Sequence, residues 1–208
     1  TLSLHDALPI FLSAAISGME VCPVQVEADV SSGLPCFTMV GFLSTQVKEA
    51  QDRVRTALKN NGISLPPKKV TVNLAPADLR KEGAGFDLPV AAAVLAASGF
   101  IEPQLLRNVM VVGELSLNGE VRSVSGVLPR VIRARELGCR YCIIPFENLA
   151  EGALVKDMKV VGVQNIKEVF EATNVDAVAC GSMFVYQGPL KGVLISYPPY
   201  QKIQELPQ

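Results

Sequence analysis

VTVNLAPADLRKEGAGFDLPVAAAVLAAS, residues 70–98, changes character twice in twenty-nine residues. PPKK at 66–69 breaks what precedes it, and an alternating strand is expected over 69–74. ADLRKEGAGFD, 77–87, carries Gly83 and Gly85 and no periodicity, so it reads as a loop. An alanine-rich helix is expected from about Phe86 to Ser98, with Gly99 able to cap its end and Pro103 beyond.

Outward from this core, EVCPVQVEADV at 20–30 sets Val24, Val26, Ala28 and Val30 on one side and Gln25, Glu27 and Asp29 on the other, a half-buried strand. SSGLP at 31–35 is turn chemistry, and CFTMVG at 36–41 reads as the returning strand. Ser44 can N-cap a helix to about Asn60, with Val47, Ala50, Val54, Ala57 and Leu58 as its apolar face and Asn61-Gly62 as its stop. NVMVVGELSLNGEVR, 108–122, reads as a hairpin turning at Asn118-Gly119. A helix over 125–138, a buried strand at CRYCIIP, a short helix at FENLAEGALV, a strand at 159–163 and a helix over 165–172 follow. Strands and helices interleave without a regular βαβ rhythm, so the body reads as α+β.

Composition bounds the function. Apolar residues make up 49% of 208 and charged residues 19%, which suits a folded domain and not a disordered chain. A net charge of -1 demands no nucleic-acid or membrane partner, though a local basic patch stays open. Five scattered cysteines fit a reducing compartment, so a cytoplasmic location is expected. LPVAAAVLAASGFI at 88–101 is too short to span a bilayer, and no basic segment precedes ALPIFLSAAI at 7–16 as a signal peptide would require.

The opening TLSLHDALPI resembles one reading frame of a common sequencing adapter, so residues 1–10 are expected to be an assembly scar, with the domain at 11–176. His5 lies in that segment and is the chain's single histidine. Without it no Ser-His-Asp or Cys-His mechanism and no histidine-ligated metal can be built. From about 177 to 208 charge thins and tyrosine and proline crowd in; a linker, an extra strand pair and a frameshift all fit that tail.

No G-x-x-x-x-G-K-[ST] phosphate loop occurs, and GAG at 83–85 does not continue as a dinucleotide fingerprint. CRYC at 139–142 lacks the second pair a zinc site needs and reads as two small core residues. Arg122, Arg130, Arg133, Arg135 and Arg140 fall close together, and Arg130 and Arg133 are one turn apart. A solvated surface answered by Glu120 and Glu136 is the plainer reading of them. A phosphate-binding face is the functional one.

SSGLPCFTMVG (31–41), RVRTALKNNG (53–62), VTVNLAPADLRKEGAGFDLPVA (70–91) and GELSLNGEVRSVSGVLP (113–129) together resemble the ComM/YifB family, also called magnesium-chelatase-like AAA ATPases. The resemblance runs over about 13–172; Leu43-Ser44 stands where the family usually has Pro-Asp. It implies a Lon-protease-like domain, the fold also seen at the C-terminus of RadA, preceding an AAA+ module in ring-forming DNA motors that act in branch migration. ATP and magnesium would belong to that module, which this sequence lacks, so a fragment with no cofactor of its own is expected. Laid on the Lon motifs, Gly85 takes the place of the nucleophilic serine and Leu128 that of the lysine, so no catalytic residue is expected. The partners implied are further copies in a ring, and DNA, with no membrane. Arg122, Arg130 and Arg133 are the expected DNA contacts, with Arg80 and Lys81 on the glycine loop next. A Lon-like peptidase or peptide-binding domain is the alternative reading, and a partner in magnesium-chelatase-type metallation the third.

Overall fold

The computed structural model describes residues 10–173 together with Phe184–Tyr186 and Gly192–Leu194. Inside the sheet lies β1 (Ile10–Ser17), a stretch with no element assigned from sequence. It pairs antiparallel along its length with β2 (Glu20–Ser31) and parallel with β5 (Val109–Val111). Phe11 and Ala15 on one face and Ala14 on the other are all buried. A strand covered on both faces loses the alternation that marks half-buried strands, so periodicity could not find it. Of the ten residues read as adapter, 1–9 lie outside the described residues; Ile10 opens β1 in register with Glu27.

β2 keeps the expected pattern: Val24, Val26 and Ala28 are buried, and Gln25 and Asp29 are exposed. Its other neighbour is not the returning strand. β4 (Lys69–Ala75) takes that edge antiparallel over seven residues, and β3 (Cys36–Val40) lies outside β4 and parallel to it. A short tight turn at 31–35 is thus a bend in a longer excursion, and the longer β4, which buries Val70, Val72 and Leu74, takes the inner position. Beyond β5 come β8 (Tyr141–Pro145) and β9 (Val160–Val163), each parallel to the last, then the two short strands β10 (Phe184–Tyr186) and β11 (Gly192–Leu194), antiparallel. The full order is β11-β10-β9-β8-β5-β1-β2-β4-β3. The sheet is mixed: antiparallel around β2, parallel through β1-β5-β8-β9. The expected 108–122 hairpin shrinks to β6 (Glu114–Leu115) and β7 (Val121–Arg122), because Val109–Val111 is drawn into the main sheet. The tail boundary at 177 lies outside the described residues.

The segment from Ser44 to Asn60 forms two helices, α1 (Thr45–Lys48) and α2 (Ala50–Asn60), joined at Glu49. Ser44 does cap the first, its hydroxyl accepting from the Val47 amide at 3.4 Å. α3 (Asp87–Ala97) is buried from Asp87 through Ala96, because β2, β1 and β4 lie against one side and α2 and β6 against others. That is why it is apolar all round. α4 (Val127–Glu136) and α5 (Leu149–Gly152) cover the opposite face over Ala14, Met110, Cys142 and Ile144, and α6 (Ile166–Thr173) ends the described body.

The Asn118-Gly119 turn docks on the end of α2: Asn60 and Asn61 side-chain amides donate to the carbonyls of Leu117 and Asn118, both at 2.8 Å. Gly119 sits at φ +88°, and a Cβ there would collide with the Asn61 amide. Gly119→Ala should therefore cost about 1–2 kcal/mol from the left-handed backbone alone, and a thermal melt of the purified variant should show the lower midpoint.

Candidate nucleic-acid interface

The glycine loop leaves β4 and returns to α3 tied down at each end. The Lys81 amide donates to the Phe42 carbonyl at 2.9 Å, and its own carbonyl accepts from Ser44 at 3.0 Å. Gly83, at φ +79°, turns the chain into a short 3₁₀ turn at Ala84–Phe86. The Gly113 amide then donates to Gly85 O and Leu88 donates to Gly113 O, each at 3.0 Å. At the loop's end Asp87 has no solvent exposure and takes Arg53 in a two-pronged ion pair, Nε to Oδ2 at 2.7 Å and NH2 to Oδ1 at 2.9 Å. The Leu115 amide adds a third contact at 3.2 Å. The carboxylate holds Arg53 above its ordinary pKa. The RVRTAL and GAGFD segments are thereby locked together, and the loop is a rigid platform.

Two of the five expected DNA contacts are not on the surface. Lys81 is fully buried, its ammonium turned back to donate to the Pro76 carbonyl, and burial lowers its pKa against the opposing pull of Asp78. Arg130 is 8% exposed; its Nε donates to Ala14 O at 2.9 Å and its NH1 to the carbonyls of Ser125 and Gly126. Burial pushes its pKa down, with Glu151 opposing. Both side chains are taken up by backbone carbonyls, that of Ala14 in the core, which turns them away from solvent. Arg130 and Arg133 therefore do not share a face: the first turns into β1, the second outward.

The other three are outside, and two of them are paired with acids. Arg133 is half-exposed and pairs with Glu136 at 2.9 Å. Arg80 pairs with Glu82 at 3.0 Å and lies 6.0 Å over the Phe42 ring. Arg122, on β7, is exposed at a shallow depression that Glu120 and Glu147 also line. Three cations that the sequence places merely around the solvent side of a helix or in a linker are arranged differently. Arg55, Lys59 and Lys68 are exposed, line one cleft between α2 and β3, and their side chains have no hydrogen-bond or ion partner among the described residues. The i, i+4 spacing of Arg55 and Lys59 was the available signal; Lys68 joins them only through the fold.

The two positions laid on the Lon dyad are structurally quiet. A Cβ at Gly85 would meet methyls of Val112 and Val124 at 3.7 and 3.8 Å, ordinary contact with apolar groups. The Leu128 amide donates to Glu151 Oε1 at 2.8 Å. Cys139 and Cys142 are buried and burial pushes both thiols up, away from thiolate chemistry. Among the described residues no group of three or more His, Cys, Asp or Glu is placed to hold a metal ion, and no helix is long and apolar enough to cross a membrane.

A family model described as subunit ChlI of Mg-chelatase matches residues 26–148, which includes half of β2, the strands through β8, the glycine loop and the Arg53–Asp87 lock. The chain is 43% identical to "Competence protein ComM" of Haemophilus influenzae over 81% of its length, and 46% identical to YifB of Salmonella typhimurium over 72%. The chain belongs to the ComM/YifB family of magnesium-chelatase-like proteins. This ComM/YifB-type chain spans about a third of the length of those relatives, covering 33% and 29% of them. It is also 33% identical to the DNA repair protein RadA of Halalkalibacterium halodurans over 77% of its length, covering 35% of that protein. The four motifs that carry the family resemblance include both partners of its buried ion pair and both sides of the Asn61–Asn118 contact.

Proposed function

We propose that residues 11–176 are a Lon-like N-terminal domain of an AAA+ ATPase that remodels DNA in the cytoplasm, serving ring assembly and DNA contact and no chemistry of its own. The similarity to a competence protein over most of this chain carries the reading, and the RadA likeness supports both the Lon-like fold and the DNA role. ATP and magnesium belong, in this reading, to a separate module. Peptide hydrolysis is disfavoured by Gly85 and Leu128 at the dyad positions, with apolar methyls where a serine hydroxyl would need a base. Metallation rests on the ChlI family description alone, and no metal-ligand cluster among the described residues supports it. A fold of this kind does not fix an activity, so the assignment stands on the assembly.

The test is a chimera. Replacing the matching third of the Haemophilus competence protein with this chain should preserve ring mass by analytical ultracentrifugation and DNA-stimulated ATP hydrolysis. Deleting that third should abolish the rings. Rings of unchanged mass after the deletion would refute the assembly role.

A further inference from the structure

We propose that the cleft between α2 and β3 binds single-stranded nucleic acid, with Arg55, Lys59 and Lys68 on its phosphates and unpaired bases on its apolar floor; this rests on the DNA role proposed above. The cleft is about 350 Å³, within the size range of sites for small ligands. Its floor is Phe37, Ile63, Leu65 and Pro66, and no acid lines it. In a chain of net charge -1, three unpartnered cations around one apolar cleft are a local concentration and not an overflow of basic composition.

Geometry favours a strand over a duplex. Arg55 and Lys59 stand one turn apart on α2, roughly 5–6 Å between Cβ atoms, so both can meet one sugar-phosphate chain. Lys68 lines the same cleft from the segment that enters β4, where its amide donates to the Pro66 carbonyl at 2.7 Å. Between them lies apolar surface, which a paired base cannot reach and an unstacked base can. β3 is the last strand of the sheet, so among the described residues no further strand pairs beyond it on that side of the cleft. Arg80 and Arg133 offer charge too, but each is already paired with a glutamate.

Cys36 is exposed and lines the same cleft, which provides a second readout. The full chain is titrated with a short fluorescein-labelled oligothymidylate at several salt concentrations, beside Arg55→Glu/Lys59→Glu and Lys156→Glu variants whose melts confirm folding; Lys156 is exposed just past α5, on the other face of the sheet. The expected result is salt-sensitive binding that the double reversal weakens on the order of tenfold. Its log–log salt slope should fall by roughly 0.7 for each phosphate that no longer meets a cation, while Lys156→Glu leaves both unchanged. Bound oligothymidylate should also slow alkylation of Cys36, read by peptide mass mapping. Binding by the parent with undiminished affinity in the double reversal overturns the cleft and leaves the DNA role standing. Displacement of the oligonucleotide by polyglutamate at equal charge would assign the cleft to acidic peptides instead and overturn the proposal. No binding by the parent at low salt overturns both the cleft and the DNA contact, while ring assembly is judged separately by the chimera.

Discussion

Replacing Arg53 by alanine should lower the unfolding free energy by about 3–5 kcal/mol, the range for removing one partner of a buried ion pair. The reason is the asymmetry of the pair. Asp87 has no exposure, whereas the Arg53 side chain retains 21%. Without Arg53 the carboxylate keeps only the Leu115 amide, with Glu114 nearby opposing its charge. Asp87→Asn should cost clearly less, since the amide oxygen still accepts from Leu115 and Arg53 still reaches Glu49 and the Gln46 carbonyl. Urea unfolding of the two variants checks the order, and a larger loss in Asp87→Asn would contradict it. The pH dependence has a definite sign. In Arg53→Ala, burial raises the Asp87 pKa with no guanidinium to oppose it, so the folded value lies above the unfolded value of about 3.9. A raised folded pKa contributes stability that is present below the unfolded value and is lost as pH rises through the folded one. The deficit of Arg53→Ala against the parent should therefore shrink as the pH is lowered from 7 towards 4. A deficit that does not change with pH would mean that the loss is one of packing and not of charge.

The half-buried elements were legible because each shows one wet face: β2 by its alternation, α2 by its apolar stripe, and the Asn118-Gly119 turn by its chemistry. Elements covered on both faces were legible only where they form a continuous apolar run, as α3, β8 and β9 do. β1 carries no period, and the hairpin read at 108–122 could not be divided between two sheets without knowing that β8 stands beside Val109–Val111. The place of β3 was hidden for another reason. Strand order depends on which segment wins the edge of β2, and a turn sequence at 31–35 reports only that the chain bends there. The candidate site shows the same limit more sharply. Charge is visible in a sequence, but its availability is not. Arg130 looks like Arg133 until the carbonyls of Ala14, Ser125 and Gly126 are placed around it. Lys81 looks like a loop cation until Pro76 folds over it. Arg55 and Lys59 read as ordinary solvent-side residues until Lys68 and an apolar floor are brought beside them. The glycine loop shows in sequence as a loop and no more; its work of holding Asp87 against Arg53 depends on a partner 34 residues away.

Arg130→Met should destabilise the chain by about 2–3 kcal/mol, because it leaves the buried Ala14 carbonyl, and the part-buried ones of Ser125 and Gly126, without the charged donor they share. For a domain of this size that is on the order of a 10 °C fall in the melting midpoint. Arg133→Ala, one turn away, should stay within about 0.5 kcal/mol of the parent, because its pair with Glu136 is surface-exposed and weak. The contrast bears directly on DNA. Reversing both arginines to glutamate would place a carboxylate against three carbonyl oxygens at position 130, so any loss of binding in that double variant would report unfolding and not a missing phosphate partner. Binding must be compared at a temperature where circular dichroism shows Arg130→Met still folded. There its affinity for single-stranded DNA and its salt slope should equal the parent's. A reduced slope in the folded variant would mean that the guanidinium leaves its carbonyls to meet a phosphate, and would return the interface to α4.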